Sequence, residues 1–271
     1  MSPKGLDSRR LHGRISEAMN KTLAAMVFVG LAAGCAVTQP QNTPHPPKLL
    51  TDPATGQAYY LYVPSKYNPL RPMPVIVSCH GTDPYDVPAR QIGEWKWMGE
   101  QHGCIIVCPR LSSTDGIFGS GPTDRLLADE RVIMSILGQL QYMYNIDRRN
   151  MMITGFSGGG FPTYFVGLRH PDIFSVVVGR ACNFNQATLD GWYPDEAVKM
   201  PIFIYYGDAD LGAIRGQSEN AIAYFRSAGF KVETQTLPGV GHQRHPEVAM
   251  RFFIKHWHGT APKLVLPPNA M

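Results

Sequence analysis

Residues 151–160 read MMITGFSGGG, and this stretch carries the strongest information about the fold. An apolar run leads without a break into Ser157, which lies among glycines, and the segment after it, FPTYFVGLR at 161–169, has a helical pattern. A short run that is apolar throughout is typical of a strand covered on both faces. We therefore predict a buried strand that ends at Ser157 and turns sharply into a helix. Ser157 is then either a nucleophile or a small residue that suits the turn.

The rest of the chain repeats this alternation of short apolar runs and helical patterns. The apolar runs lie at 59–63, 74–81, 104–109, 174–181, 201–208 and 231–238, and the helical patterns at 124–144, 216–228 and 246–258. Strands that alternate with helices imply crossover connections and a parallel sheet. We expect a three-layer α/β domain with a mostly parallel sheet, helices on both faces and functional residues at the carboxyl ends of the strands.

Composition and charge narrow the function classes. The chain has 271 residues, of which 44% are hydrophobic and 17% charged, so one domain of roughly 200–250 residues is expected. The whole chain has 25 Lys or Arg and 21 Asp or Glu. The first 34 residues hold five of the basic and two of the acidic residues, so the rest of the chain has 20 basic and 19 acidic residues. This near-neutral body does not favour nucleic acid as a partner.

The N-terminal 34 residues have the pattern of an export signal. Residues 19–35 read MNKTLAAMVFVGLAAGC: one Lys, an apolar stretch too short to span a bilayer, and small residues before Cys35. This resembles a bacterial lipoprotein signal, which implies lipidation of Cys35, and we expect translation to begin at Met19. The alternative is a buried helix of the domain. The signal interpretation implies an exported lipoprotein of the cell envelope that faces the periplasm or the exterior.

The remaining segments set the predicted domain bounds. Residues 35–56, with four prolines directly after Cys35, are predicted to form a linker behind the lipidated cysteine. The catalytic domain is predicted at 57–258, and residues 259–271 form an extended tail. Contact with a membrane is expected only through the lipid anchor, and the oligomeric state is not predicted.

Ser157 lies in the pattern Gly155-Phe156-Ser157-Gly158-Gly159, which fits G-x-S-x-G. Glycines two places before and after the serine give room to a strained strand-to-helix turn. A serine hydroxyl needs a base, and the base needs an orienting acid. Acid candidates follow one apolar run in GDAD, as Asp208 and Asp210, and base candidates follow the next in GVGHQRH, as His242 and His245.

These motifs resemble those of the α/β-hydrolases, in particular the small serine esterases related to polyhydroxybutyrate depolymerases, feruloyl esterases and dienelactone hydrolases. The resemblance covers roughly residues 57–258 and rests on His80-Gly81, G-x-S-x-G and the pair GDAD and GVGH. It implies a triad of Ser157, Asp210 and His242, with Asp208 as the alternative acid.

The same resemblance implies an oxyanion hole and a binding pocket. The backbone N–H groups of Gly158 and Thr82 are the expected oxyanion donors. The short segment at 183–194 indicates a small or absent lid. The candidate pocket residues are His80, Gly81, Trp95, Trp97 and Trp192. The alternatives are a structural role in the loop for His80 and core packing for Trp95 and Trp97.

The expected function is hydrolysis of carboxylic esters through an acyl-enzyme, without metal or organic cofactor. The substrate would be a small-molecule or polymer-linked ester. Two alternatives stay open: a peptidase of the prolyl-oligopeptidase type, and a non-catalytic surface lipoprotein that retains the fold. Among the cysteines beyond Cys35, the pair Cys79 and Cys108 is the first to test for a disulfide.

Overall fold

The computed structural model describes residues 44–114 and 123–267. Eight strands form one sheet: β1 Lys48–Thr51, β2 Ala58–Tyr62, β3 Met73–Cys79, β4 Ile105–Pro109, β5 Ile146–Ser157, β6 Val176–Cys182, β7 Ile202–Gly207 and β8 Val232–Leu237. Five α-helices are described: α1 Pro88–His102, α2 Thr123–Met143, α3 Gly160–Arg169, α4 Gly212–Ser227 and α5 Pro246–Lys255. Two short 3-10 helices, Gln186–Thr188 and Asp195–Lys199, lie between β6 and β7.

The sheet has the strand order β1-β2-β4-β3-β5-β6-β7-β8. β1 and β2 pair antiparallel to their neighbours, and all pairs from β4 to β8 are parallel. Parallel neighbours place the carboxyl ends of β3, β5, β7 and β8 at the same edge, where ligand sites of such sheets form. The predicted mostly parallel sheet is confirmed.

The sheet is covered on both faces, because its central strands alternate their side chains between two apolar clusters. One cluster joins the sheet to α2, α3 and α4, and the other joins it to α1 and α5. On β3, for example, Val75 and Val77 enter the first cluster and Ile76 enters the second. Three layers result, as the sequence predicts, and helix bounds differ from the predicted ones by a few residues at most ends.

The N-terminal boundary of the domain differs from the predicted one. Lys48–Thr51, which fall within the predicted linker at 35–56, form β1 at the edge of the sheet. This strand has no buried run that a sequence pattern could reveal, since Leu49 is 60% exposed. Its position depends on pairing with β2, where Leu50 lies opposite Tyr59.

The C-terminal residues 261–267 have no regular secondary structure but follow the domain surface. Leu264 packs against the cluster of α1 and α5, and the Val265 N–H donates to Nε2 of His102 at 3.0 Å. Within the predicted tail at 259–271, these residues are therefore attached to the domain surface.

All four cysteines of the described residues are buried free thiols: Cys79, Cys104, Cys108 and Cys182. The suggested pair Cys79 and Cys108 is wrong for a geometric reason. Cys79 on β3 enters the cluster of α2, α3 and α4, whereas Cys108 on β4 enters the cluster of α1 and α5. The two thiols lie on opposite faces of the sheet.

Within the described residues, no helix has both the length and the apolar character needed to span a membrane. The predicted signal segment at 1–34 and the predicted lipidation site Cys35 lie outside the described residues.

Candidate active site

Ser157 is the last residue of β5 and adopts a left-handed backbone conformation, with φ of 52°. This conformation costs a non-glycine residue about 1–2 kcal/mol. It is held by neighbouring strand ends: the pairing with β6 shifts its register between Phe156 and Ser157, and the Asn183 N–H donates to the Ser157 carbonyl oxygen at 2.9 Å. The turn presents Ser157 between the strand and α3, as predicted from the sequence.

All three glycines of the motif are required by close backbone approach. A Cβ on Gly159 would lie 2.4 Å from the carbonyl oxygen of Cys79. A Cβ on Gly155 would lie 2.2 Å from the carbonyl oxygen of Gly159, and one on Gly158 would lie 2.0 Å from the carbonyl oxygen of Thr114. No side chain fits at any of the three positions without moving backbone atoms.

Asp210 and His242 come together at the ends of β7 and β8. His242 Nδ1 lies 2.9 Å from Asp210 Oδ1, and the Asp210 carboxylate is fully buried while a quarter of the His242 side chain is exposed. This separation is that of a hydrogen bond, but the N–H of His242 Nδ1 does not point at the Asp210 oxygen. Nδ1 therefore has no aligned acceptor among the described residues. Asp210 Oδ1 also accepts the Leu211 N–H at 2.6 Å.

The two alternative residues have other contacts. Asp208 Oδ1 accepts the Gly239 N–H at 2.7 Å, so its carboxylate holds the turn that follows β8. His245 precedes α5, and its Nδ1 lies 2.9 Å from Glu247 Oε1. Asp210, and not Asp208, is therefore the carboxylate that lies against His242.

His242 is placed beside the serine turn by a ring contact. Its imidazole stacks on Phe156, with centroids 4.6 Å apart and planes 29° from parallel. Phe156 directly precedes Ser157, so this contact brings the base candidate to the strand end that carries the nucleophile candidate.

The two oxyanion candidates lie side by side. A Cβ on Gly158 would be 2.9 Å from the Thr82 hydroxyl oxygen, and that hydroxyl donates to the Thr114 carbonyl oxygen at 3.0 Å. The Gly158 N–H has no acceptor among the described residues. It is therefore free to receive a substrate oxygen.

Asp129 of α2 holds Ser112 and Ser113, which directly precede Thr114. Its buried carboxylate accepts the N–H and hydroxyl groups of both Ser112 and Ser113, at 2.6–2.9 Å. Burial raises the pKa of Asp129 despite these donors. Sequence reasoning missed Asp129 and Thr114, because only the folded chain brings α2 and this loop to the serine turn.

Solved structures of low sequence identity share this arrangement of strands. The chain matches a thermostable esterase with a TM-score of 0.55 and 23% identity, over 71% of this chain and 54% of that one. It matches a ferulic acid esterase from Anaeromyces mucronatus, in complex with ferulic acid, with a TM-score of 0.55 and 15% identity, over 76% and 87% of the two chains. The chain has the α/β-hydrolase fold. No protein-family model matches it.

A sequence relative is similar over part of this α/β-hydrolase fold. The bifunctional acetylxylan esterase/xylanase XynS20E of Neocallimastix patriciarum is 23% identical over 178 residues, which are 65% of this chain. The chain thus spans 23% of that enzyme's length and about half of the thermostable esterase.

Two candidate pocket residues are structural in this α/β-hydrolase fold. His80 is buried: its Nε2 accepts the Leu111 N–H at 3.0 Å, so Nδ1 carries the proton and donates to the Gly81 carbonyl oxygen at 2.7 Å. Burial lowers the pKa of His80, which favours the neutral ring. The Gly81 N–H donates to Asp86 Oδ2 at 2.7 Å. Both residues fix the loop after β3 and do not line a pocket.

The tryptophans also lie away from the site. Trp95 is fully buried in the cluster of α1 and α5, and Trp97 packs against the same cluster. Trp192 contacts Phe165 and Arg169, at the end of α3 that is about 15 Å along the helix from Ser157. Core packing, the alternative that the sequence left open, therefore holds for Trp95 and Trp97. Trp192 is not a pocket residue, because α3 separates its contacts from the serine turn.

A cavity of about 340 Å³ opens beside the oxyanion candidates, lined by Gln57, Asp83, Arg110, Leu111, Ser112 and Thr114. A larger cavity of about 800 Å³ lies at the other end of the strands, where Phe174 and Pro201 precede β6 and β7. Of these two cavities, the first adjoins the site. Within the described residues, no group of three His, Cys, Asp or Glu side chains is arranged to hold a metal ion.

Proposed function

We propose that this protein is a serine hydrolase of carboxylic esters, with Ser157 as nucleophile, His242 as base and Asp210 as orienting acid. The observation that carries the proposal is the contact of His242 with both Asp210, at 2.9 Å, and Phe156, next to the left-handed Ser157. A nucleophile, a base and an acid in this order and geometry form the constellation used for acyl transfer.

The reaction follows from these positions. Ser157 Oγ attacks the ester carbonyl carbon while its proton passes to His242 Nε2, and Asp210 stabilises the imidazolium through Nδ1. The N–H groups of Gly158 and Thr82 receive the oxyanion, and one such donor typically lowers the barrier by about 3 kcal/mol. His242 then protonates the departing alcohol. Water, activated by the same base, hydrolyses the acyl-enzyme and releases the carboxylic acid.

The test uses p-nitrophenyl acetate turnover and covalent labelling by a fluorophosphonate. We expect both in the wild-type protein and neither in a folded Ser157→Ala variant. A folded wild-type protein that is neither labelled nor active would exclude the proposal and favour a non-catalytic binding protein. Turnover of a peptide p-nitroanilide in preference to esters would favour the peptidase alternative.

The substrate class within esters is set by what fits beside Thr114. Short-chain esters, acetyl or feruloyl groups on plant polysaccharide, and polyester oligomers all suit a site with a cavity of about 340 Å³ and no large lid between β6 and β7. A panel of these esters on purified protein, compared by kcat/KM, separates them.

We also propose that the protein is exported and anchored through lipidated Cys35. The support is the segment at 19–35, with its single Lys, apolar stretch and small residues before the cysteine. Metabolic labelling with a fatty acid, compared between wild type and Cys35→Ser, tests the anchor. The mass of the precursor tests the start at Met19.

A further inference from the structure

Four charged side chains form a cluster beside the candidate site: Arg180, Glu94, Arg244 and Asp86. The proposed chemistry does not use this cluster. Glu94 lies at its centre, with Oε1 accepting Arg180 at 2.6 Å and Oε2 accepting Arg244 at 2.6 Å. Two positive and two negative groups balance one another. We call this set the charge cluster.

Asp86 connects the charge cluster to the loop that carries Thr82. Its Oδ2 accepts the Gly81 N–H at 2.7 Å, and its own N–H donates to the Thr82 carbonyl oxygen at 2.9 Å. Its Oδ1 lies 3.2 Å from an Arg244 nitrogen that donates to it. One carboxylate therefore contacts both the oxyanion loop and Arg244.

Arg244 connects the charge cluster to the base, because it follows His242 by two residues. Its guanidinium carbon lies 5.5 Å from the centre of the Phe156 ring, the same ring on which His242 stacks. The Tyr205 hydroxyl, within 2.8 Å of the Arg244 carbonyl oxygen, holds the backbone of this segment.

Arg180 forms the buried side of the charge cluster and is held in place by several hydrogen bonds. Arg180 of β6 is fully buried and donates to Thr154, Ser78 and Gln91 as well as to Glu94. Burial alone would lower the pKa of the Arg180 guanidinium, but Glu94 outweighs it and holds this pKa above its ordinary value. Charged hydrogen bonds in such a setting are directional and strong, so the groups attached to them keep their positions.

We propose that Arg244 and Asp86 are positioning residues, which tie the loop of His242 to the loop of Thr82 so that base and oxyanion donors keep a fixed separation. This inference rests on the proposed esterase function. Neither side chain touches the reacting atoms. Their removal acts through the placement of His242 and Thr82, and a displacement of about 1 Å can lower a rate by about a hundredfold.

The experiment compares Arg244→Ala with Arg169→Ala, a matched control. Arg169 has the same type of contacts away from the site: its Nε donates to Glu130 at 2.7 Å, and its guanidinium lies 5.0 Å from the Phe165 ring centre. The side chains of Arg244 and Arg169 are 30% and 26% exposed. Arg244→Ala loses the ion pairs with Asp86 and Glu94 and one ring contact. Arg169→Ala loses one ion pair and two ring contacts, with Phe165 and Trp192. On our proposal, only Arg244→Ala releases the two loops.

We expect Arg244→Ala to lower kcat by about ten- to a hundredfold with KM within about twofold, and to slow fluorophosphonate labelling by a similar factor. Arg169→Ala should keep the wild-type kcat at a similar Tm. Arg244→Lys retains the charge and one contact and should recover part of the loss. Asp86→Asn should lower kcat in the same way and, combined with Arg244→Ala, add little further loss.

If the wild type is labelled and active but Arg244→Ala and Arg169→Ala have equal kcat values, the positioning role is wrong and the proposed function still stands. A wild-type protein that is neither labelled nor active would overturn it together with the proposed function. If Asp86→Asn does not fold, the three arginine variants still decide.

Discussion

The imidazole of His242 stacks on the ring of Phe156, with centroids 4.6 Å apart. Phe156 is the first of the two variable residues of G-x-S-x-G, for which the motif requires no particular side chain. Here it is the surface against which the base candidate rests, one residue before Ser157. The contact joins the end of β5 to the loop after β8, two parts of the chain that are 86 residues apart.

The first prediction separates the two acid candidates. Asp210→Asn should lower kcat by roughly 10²- to 10⁴-fold, because it removes the charge that orients and stabilises His242. Asp208→Asn keeps an oxygen that can accept the Gly239 N–H and should change kcat by less than about threefold. Steady-state kinetics on p-nitrophenyl acetate measure kcat of both variants and so identify the acid. A larger loss in Asp208→Asn than in Asp210→Asn would contradict the assignment.

The second prediction concerns the serine turn. Gly155→Ala should lower the free energy of unfolding by at least about 2 kcal/mol, because its Cβ would lie 2.2 Å from a carbonyl oxygen. The control is Gly138→Ala within α2, where no atom lies within 4 Å of the added Cβ. That substitution should raise stability by roughly 0.5–1 kcal/mol. Urea unfolding measures both; a Gly155→Ala protein as stable as the wild type would rule out the tight turn.

The third prediction concerns the thiols. Burial raises the pKa of Cys79 to about 12 and that of Cys182 to about 12, so both stay protonated in the folded protein. A Cys35→Ser chain should not react with a thiol reagent until unfolded, and then four groups should react. Reduction should leave Tm unchanged, since all four are free.

The same thiols make stability depend on alkaline pH. Unfolded thiols ionise at a pH of about 8.5, whereas the folded ones keep their protons. The unfolded chain therefore binds fewer protons, and the free energy of unfolding should fall as the pH rises above about 8.5. Rapid reaction of any of the four in the native Cys35→Ser chain would contradict their burial.

The fourth prediction concerns acid pH. Burial lowers the pKa of both His80 and His102, so the folded state holds them neutral while the unfolded chain takes up protons below about pH 6.5. Each neutral histidine therefore stabilises the folded protein above about pH 6.5, and this stabilisation is lost as the pH falls further. Replacing either by Gln should reduce the slope of the free energy of unfolding, by up to about 1.4 kcal/mol per pH unit. A slope equal to the wild type in both variants would contradict the neutral assignment.

The sequence predicted the parallel part of the sheet because strands β3 to β7 are almost continuously buried, and burial on both faces requires apolar residues at every position. It did not predict β1, because an exposed edge strand carries no such pattern and exists through its pairing with β2. Nor could it place Trp95 or Trp192, because the direction in which a helix turns a side chain depends on what the helix packs against.

The sequence by itself determined the fold class and the candidates for nucleophile and base, since the strand-turn-helix pattern around Ser157 and the strand-end positions of Asp208, Asp210 and His242 are local features. The tertiary structure decided which carboxylate lies against His242 and which residues hold the loops in register. Asp86 and Arg244 are 158 residues apart and belong to no motif. Their contact exists only because parallel strands bring their carboxyl ends, and the loops that follow them, to one edge of the sheet.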